Sequence, residues 1–156
     1  MLESFERCMA LIKLIIEVSK TIDMKAIRDK YHMNKSRIIK IHIADANRAF
    51  SFKFKDDSSL KLLLTNPTPD VEIFIATLCV FKHMRHGTIA GCDPATLQKV
   101  EIPYSPLDAW KFGDVHAYGD ASTNDVLASV SILFDVMGSV DIKRVDEIIG
   151  PCDHDV

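Results

Sequence analysis

The chain has 156 residues, a length typical of one compact domain and short for two. With 47% hydrophobic and 26% charged residues, its composition excludes collagen-like, low-complexity and largely disordered chains. The apolar runs are shorter than the ~20 residues that span a bilayer. The first residues are acidic where a signal peptide would be basic. These features predict a soluble, cytoplasmic protein.

The net charge of −3 conceals an uneven distribution of charge along the chain. The segment from Lys20 to Lys55 contains ten basic and three acidic residues, a net charge of +7, whereas the remainder carries −10. Such a segment can contact nucleic acid or an anionic lipid surface, although an ordinary solvated surface shows the same pattern.

The cysteines are widely spaced and form no C-x-x-C pair: Cys8, Cys79, Cys92 and Cys152. An intracellular chain keeps such thiols reduced, so the sequence predicts no disulfide.

The N-terminal region has helical periodicity. Apolar residues from Phe5 to Ile16 follow one face of an amphipathic helix predicted over residues 3–18. Thr21 or Asp23 can cap a second helix, predicted over residues 23–32.

A period of two then indicates four strands separated by polar turns. An antiparallel meander with one buried face is the predicted arrangement. The alternating apolar positions are Ile39, Ile41 and Ile43; Phe50, Phe52 and Phe54; Leu60, Leu62 and Leu64; and Val71, Ile73 and Ile75.

The remaining chain returns to helical periodicity. A helix is predicted from Thr77 to a stop at Gly87, followed by a long loop over residues 90–104. A short helix over 107–112, a fifth strand over 115–118, an apolar helix ending at Met137 and a short helix over 141–149 complete the order. This order predicts an α+β domain: a five-stranded, mostly antiparallel sheet with helices covering one face.

Few residues suggest a catalytic or metal-binding site. His83 and His86 have a spacing compatible with a metal site together with Cys92 and Asp93, but the basic residues beside them favour ordinary surface histidines. The paired carboxylates Asp56 and Asp57 fall in a turn and are expected to be solvated. The chain has no nucleophile elbow, glycine-rich phosphate loop or H-E-x-x-H motif. We therefore expect no enzyme, metal or cofactor.

One alternative is a DNA-binding regulator that uses residues 22–40. This basic segment resembles half of a helix-turn-helix, with a turn near residues 32–34. A recognition helix needs about ten helical residues, whereas Ile38 to Ile43 alternates like a strand, so nucleic acid is the less favoured partner.

The stretch from Ser105 to Asp120 carries the most specific pattern in the chain. Its characteristic pairs are Ser105-Pro106, Ala109-Trp110, Phe112-Gly113 and Gly119-Asp120. With these pairs, the chain from Arg37 to Met137 resembles the sterol carrier protein 2 family of lipid-binding domains. The strand at 70–75 and the segment at 77–87 fit the same family pattern.

The resemblance divides the chain into an N-terminal helical segment (1–36), the sterol-carrier-like domain (37–140) and a C-terminal helix and tail (141–156). Two departures stand out. Residues 90–104 are an insertion, and the first segment has two predicted helices where one is typical.

The resemblance implies an apolar tunnel between the sheet and its helices, and non-enzymatic binding or transfer of a lipid or fatty-acyl-like ligand. Phe74 lies on the strand face opposite to Val71 and Ile73, so a second layer or a ligand should cover it. The chain has more large apolar residues than one sheet face needs. The candidates for the tunnel wall are Phe74, Phe81, Met84, Ile102, Leu107, Trp110, Phe112, Phe134 and Met137.

An empty apolar tunnel would lower the stability of the fold. A ~300 Å³ apolar space left empty would cost up to ~7 kcal/mol, so it must collapse, admit water or hold a ligand. In this interpretation the 90–104 insertion is a lid, and the basic N-terminal half contacts an anionic membrane transiently. A third possibility is a subunit-interaction module whose exposed apolar residues form a dimer interface.

Overall fold

A computed structural model of the chain describes residues 4–55 and 60–156. The turn predicted at residues 56–59, with its two carboxylates, lies outside the described residues. Six helices are found within the described ranges: α1 (Ser4–Ser19), α2 (Met24–Lys30), α3 (Cys79–His86), α4 (Pro106–Lys111), α5 (Thr123–Met137) and α6 (Ile142–Ile149). Seven strands are found there: β1 (Arg37–Ile43), β2 (Arg48–Phe54), β3 (Leu60–Leu63), β4 (Val71–Ile75), β5 (Thr88–Cys92), β6 (Lys99–Pro103) and β7 (Val115–Tyr118).

The main sheet has five strands in the order β3-β2-β1-β4-β7. β1 is antiparallel to β2 but parallel to β4, so that Ile41 lies opposite both Phe50 and Ile73. The α+β class and the mostly antiparallel sheet are therefore confirmed. The four-strand meander is wrong at its last step, because β4 returns beside β1 instead of adding to β3. Alternation fixes which face a residue occupies, but it does not fix the neighbouring strand.

One face of this sheet forms the core. The inward residues of the two central strands are at most 5% exposed and pack under α1 and α5, as predicted for helices on one side. Ile15 of α1 and Ile132 of α5 lie against this face. Each such side chain contributes roughly 1.5–3 kcal/mol relative to an exposed one.

Residues 88–103 form a two-stranded hairpin, in which Ile89 pairs with Ile102. The predicted long loop over 90–104 is therefore wrong. Gly91 and Pro103 obscure the strand pattern, since neither residue is favoured in strands. The side chain of Ile102 covers Gly91 so closely that a Cβ there would lie 2.0 Å from Ile102 Cδ1.

Cys79 and Cys152 form a disulfide, with Cα atoms 6.0 Å apart, so the prediction that all cysteines are reduced is wrong for this pair. The two residues are 73 positions apart, and α6 with the following turn brings the C-terminal tail to the start of α3. Lys82 fastens the same tail by donating to Gly150 O at 2.8 Å and to the Asp155 carboxylate at 2.5 Å. The free cysteines are Cys8, which is buried, and Cys92, which is exposed.

The segment considered for DNA binding does not form two helices. α2 has seven residues, and β1 begins at Arg37, where a recognition helix would be needed. Arg28, central to the basic segment, is only 1% exposed, and its guanidinium donates to the backbone carbonyls of Met33, Lys35 and Lys55. The helix-turn-helix interpretation is therefore wrong for this segment.

No helix in the described part of the chain combines the length and the apolar character needed to cross a membrane.

Candidate ligand-binding site

The space between the main sheet and its helices is almost filled by side chains. The cavity there has a volume of about 30 Å³, with Ile41, Phe52 and Leu133 among its lining residues. A space of this size holds one or two water molecules and is well below the roughly 300–1,000 Å³ of ligand sites. An acyl chain does not fit in this space, so the candidate tunnel residues have to be located one by one.

Four of the nine candidates are themselves core. Phe81 and Met137 are fully buried, Met84 is 3% exposed and Phe134 is 9% exposed. Their side chains occupy the space between α3, α5 and the sheet instead of bordering a tunnel.

Phe74 lies on the open face of the sheet and is 38% exposed. Its ring stacks on His42 with centroids 4.3 Å apart and meets the edge of Tyr118 at 5.9 Å. The alternation of β4 correctly places Phe74 opposite to Ile73, but the covering element expected there is a row of rings on neighbouring strands.

Leu107 and Trp110 line an open groove of about 370 Å³ between α4, α5 and β7. Both side chains are more than half exposed, as is Leu127 across the groove. These residues share an exposed surface, whose lining also includes the core residues Val115 and Val130.

Ile102 and Phe112 border a much larger space of about 650 Å³, which we call the hairpin cavity. One part of its wall is apolar and includes the disulfide: Cys79, Val80, Ile89, Ala90, Gly91, Ile102, Phe112 and Cys152. The other part is polar: Asp45, Thr77, His83, Asp114, Asp153 and His154. The hairpin cavity is therefore the candidate ligand-binding site.

Backbone hydrogen bonds fix the two sides of the hairpin cavity. Gly87 ends α3 in the left-handed region (φ 72°) and accepts from Tyr104 N at 2.8 Å, which holds both ends of the hairpin beside α3. On the tail side, Ala90 N donates to His154 O at 2.9 Å. Hairpin, helix and tail thus enclose the cavity as one bonded unit.

The polar end of the cavity lies at one edge of the main sheet. Because β1 and β4 are parallel, both strands end at this edge, and β7 begins there. Asp45 N donates to Ala76 O at 3.2 Å, and Ala76 N donates to Asp114 O at 2.9 Å. Asp45, Thr77 and Asp114 are therefore neighbours because they directly flank these strand ends.

Burial shifts the pKa values of two groups at the cavity, Tyr104 and His83. Burial, with the bonded Asp114 carboxylate 2.7 Å away, raises the pKa of Tyr104, so its hydroxyl stays protonated and donates to Asp114. Burial also lowers the pKa of His83, which outweighs the opposing influence of Asp155. His83 is consequently neutral at pH 7, and its Nε2 has no hydrogen-bond partner.

The two cysteines of the wall are joined in the disulfide, and the Asp114 carboxylate accepts from the Tyr104 hydroxyl. His83 and His86 both border a smaller pocket, where His86 Nε2 lies 2.7 Å from Asp146 and His83 Nε2 lies 3.5 Å from Asp155. Across residues 4–55 and 60–156, no group of three or more His, Cys, Asp or Glu side chains is arranged to hold a metal ion.

Sequence reasoning identified two wall residues, Ile102 and Phe112, but missed the polar end. The available signal was positional: Asp45, Thr77 and Asp114 each lie within two residues of the end of a strand. Reading that signal requires the parallel pairing of β1 and β4, which the sequence pattern does not reveal.

Comparison with known proteins adds little to this geometry. No family model matches the chain, and no curated protein matches it. Among solved structures, the chain resembles part of a stereoselective inverting sec-alkylsulfatase from Pseudomonas sp., with 15% identity and a TM-score of 0.37. The match covers 68% of this chain but only 13% of the alkylsulfatase chain.

Proposed function

We propose that this protein binds a small amphipathic molecule in the hairpin cavity and does not convert it chemically. The observation that carries this proposal is the cavity itself, about 650 Å³ with an apolar part and a polar part in its wall. Ligand sites commonly measure roughly 300–1,000 Å³ and have this composition. The proposal keeps the lipid-like ligand predicted from sequence but moves it from the sheet–helix interior to the hairpin side.

The apolar wall supplies the binding energy in this proposal. Phe112 is 56% exposed and Ile102 is partly buried, so both have apolar surface that a ligand can remove from water. At roughly 25 cal/mol per Å², covering 60 Å² of such surface is worth about 1.5 kcal/mol. Covering such a surface therefore strengthens binding roughly tenfold, which makes the apolar wall the main source of affinity.

The hairpin and the tail restrict entry to the cavity. The hairpin takes the place of the predicted 90–104 lid, and its bond from Ala90 N to His154 O joins it to the tail. A ligand can enter when these segments separate, which needs no change in the main sheet. The proposed site is therefore a binding site with a movable cover.

Membrane attachment through the basic segment has weaker support. Arg28 is buried, and Arg37 is paired with Asp125 at 2.6 Å. Lys25 and Lys30 face Asp29 and Asp135. Because these four positive charges are already engaged, we propose ligand binding without permanent membrane contact.

A matched pair of phenylalanine variants tests the proposal. Nile red, a neutral fluorescent hydrophobe, is titrated into the wild-type protein and into Phe112→Ala and Phe74→Ala variants. We expect saturable binding that weakens about tenfold in Phe112→Ala, whose ring lines the cavity, and is unchanged in Phe74→Ala, whose ring lies on the open sheet face.

Mass spectrometry after extraction into organic solvent provides a second readout, since a protein purified from cells should carry an amphiphile. Equal Nile red affinities in both variants, or no saturable binding by the wild-type protein, would reject the proposed site.

A further inference from the structure

We infer that the hairpin cavity prefers an amphiphile with a cationic amine head over a fatty acid with a carboxylate head. This inference rests on the proposed function and adds the chemical class of the ligand. It follows from the charges that line the cavity, the segments that carry them and the state of the neighbouring basic groups.

The lining residues are acidic on balance. Three of them are aspartates, Asp45, Asp114 and Asp153, and among the described lining residues none is lysine or arginine. The nearest lysine along α3, Lys82, is 8% exposed and is engaged by Gly150 O and the Asp155 carboxylate. A carboxylate head would therefore meet like charges without a cation to pair with.

The aspartates come from two different parts of the wall. Asp45 and Asp114 are joined through the backbone of Ala76 at the sheet edge. Asp153 is next to His154, whose carbonyl is bonded to the hairpin at Ala90. Both the sheet edge and the tail therefore contribute carboxylates to the cavity wall.

An ammonium head has the hydrogen-bond acceptors that it needs. One oxygen of Asp114 accepts from the Tyr104 hydroxyl at 2.7 Å, which leaves its other oxygen as an acceptor. The side chains of Asp45 and Asp153 are exposed at the rim. Ion-assisted hydrogen bonds to carboxylates are shorter and stronger than neutral ones.

His83 does not reverse this preference. It is 7% exposed, and burial keeps the ring neutral at pH 7. The second histidine in the wall, His154, is exposed in the tail, and its backbone is what holds the hairpin. The wall then combines three aspartates with no lysine or arginine among its described lining residues.

Three twelve-carbon compounds compared at pH 7.5 test the inference: dodecylamine, dodecanol and dodecanoate, each displacing Nile red below its micelle concentration. We expect dodecylamine to bind about tenfold more tightly than dodecanoate in 20 mM salt, with dodecanol between them. An exposed ion pair changes affinity by up to about fivefold, so two or three such pairs set this scale. The ratio should shrink toward about twofold in 1 M salt, where the screening length is about 3 Å.

A double variant, Asp45→Asn with Asp153→Asn, removes the two exposed charges without disturbing Asp114. It should reduce the amine-to-acid ratio at least threefold. The matched control is Asp120→Asn with Glu147→Gln, two exposed acids outside the lining set, and it should leave the ratio unchanged.

The outcomes separate the inference from the proposed function. Tighter binding of dodecanoate than of dodecylamine overturns the inference while retaining a ligand site. The same holds for a ratio that the Asp45/Asp153 double variant does not change. Failure of Nile red and all three compounds to bind rejects the proposed function itself.

Discussion

Cys79 and Cys152 join the first turn of α3 to the C-terminal tail, and both residues line the hairpin cavity. The disulfide therefore serves the fold and the candidate site together. The carbonyl of Gly150 and the Asp155 carboxylate both accept from Lys82, so the tail keeps two contacts to α3 besides the covalent one.

Reduction of this disulfide should destabilise the protein by about 4 kcal/mol, because the unfolded chain regains the freedom of a 73-residue loop. Urea unfolding followed with and without dithiothreitol measures the loss. The variant Cys92→Ser, at an exposed free thiol, should respond to the reductant as the wild type does. Alkylation of the unfolded, unreduced protein should label two cysteines; labelling of all four would contradict the pairing.

Arg28 forms a second connection between distant segments. Its guanidinium donates to Met33 O, Lys35 O and Lys55 O at 3.1, 2.7 and 2.6 Å and lies 5.2 Å above the Phe54 ring. Arg28→Met leaves these carbonyls without that donor and should destabilise the fold by about 3–5 kcal/mol.

Arg28→Lys should lie between Arg28→Met and the wild type in urea unfolding, since an ammonium keeps the charge but not the fork geometry. The control Lys25→Met changes an exposed lysine of the same helix and should leave the unfolding midpoint unchanged. A wild-type midpoint in Arg28→Met would show that these bonds are not needed for stability.

Much of the fold could be predicted from local sequence pattern, because burial of one face imposes a period on each element. Ile39, Ile41 and Ile43 alternate for this reason, and all three are at most 5% exposed. The helix beginning near Ser105 was identifiable because Ser105 accepts from Asp108 N while the Asp108 side chain accepts from Ser105 N.

The unpredicted features depend on contacts between distant residues. Neither the parallel pairing of β4 with β1 nor the Cys79–Cys152 bond leaves a periodic trace in the sequence. The candidate site shows the same limit. Apolar character identified Ile102 and Phe112 in the cavity wall, but it also selected Phe81, which is buried in the core. Residues of the core and residues of an apolar cavity wall are of the same types, so the sequence does not distinguish them.

Gly113 and Gly119 flank β7, and each position favours glycine for a different reason. At Gly119 a Cβ would lie 2.1 Å from Asp70 O and 2.9 Å from Val71 Cα, which are backbone atoms that no rotamer change can move. Gly119→Ala should therefore force β7 away from β4 and cost about 2–3 kcal/mol. Gly113 has φ +74° and no neighbour within 4 Å, so Gly113→Ala should cost about 1 kcal/mol from backbone strain alone.

Thermal unfolding of the two glycine variants measures the difference. Gly119→Ala should melt clearly below Gly113→Ala, since a Cβ at Gly119 meets backbone atoms whereas the space around Gly113 is open. Equal melting temperatures for the two alanine variants would mean that the β4–β7 approach is not tight.

His83 should make stability depend on pH in a defined window. Burial lowers the pKa of His83 in the folded protein below the unfolded value of about 6.5, so below pH 6.5 the unfolded chain takes up a proton that the folded chain resists. The free energy of unfolding should be level above about pH 7 and fall as the pH decreases, by at most about 1.4 kcal/mol per unit, until the folded-state pKa is reached.

Protonation of Asp155 should reduce the free energy of unfolding at a lower pH than protonation of His83 does. Burial alone would raise the pKa of Asp155, but hydrogen bonds from Lys82 and from Cys152 N outweigh burial and lower it. The stabilising contribution of this carboxylate is therefore present above about pH 4 and lost below it.

Urea unfolding at pH 7.5, 6.0 and 5.0 should isolate the effect of His83, and His83→Gln should flatten the profile between pH 6.5 and the folded-state pKa. If the profile of His83→Gln falls as steeply as that of the wild type, another group controls the transition.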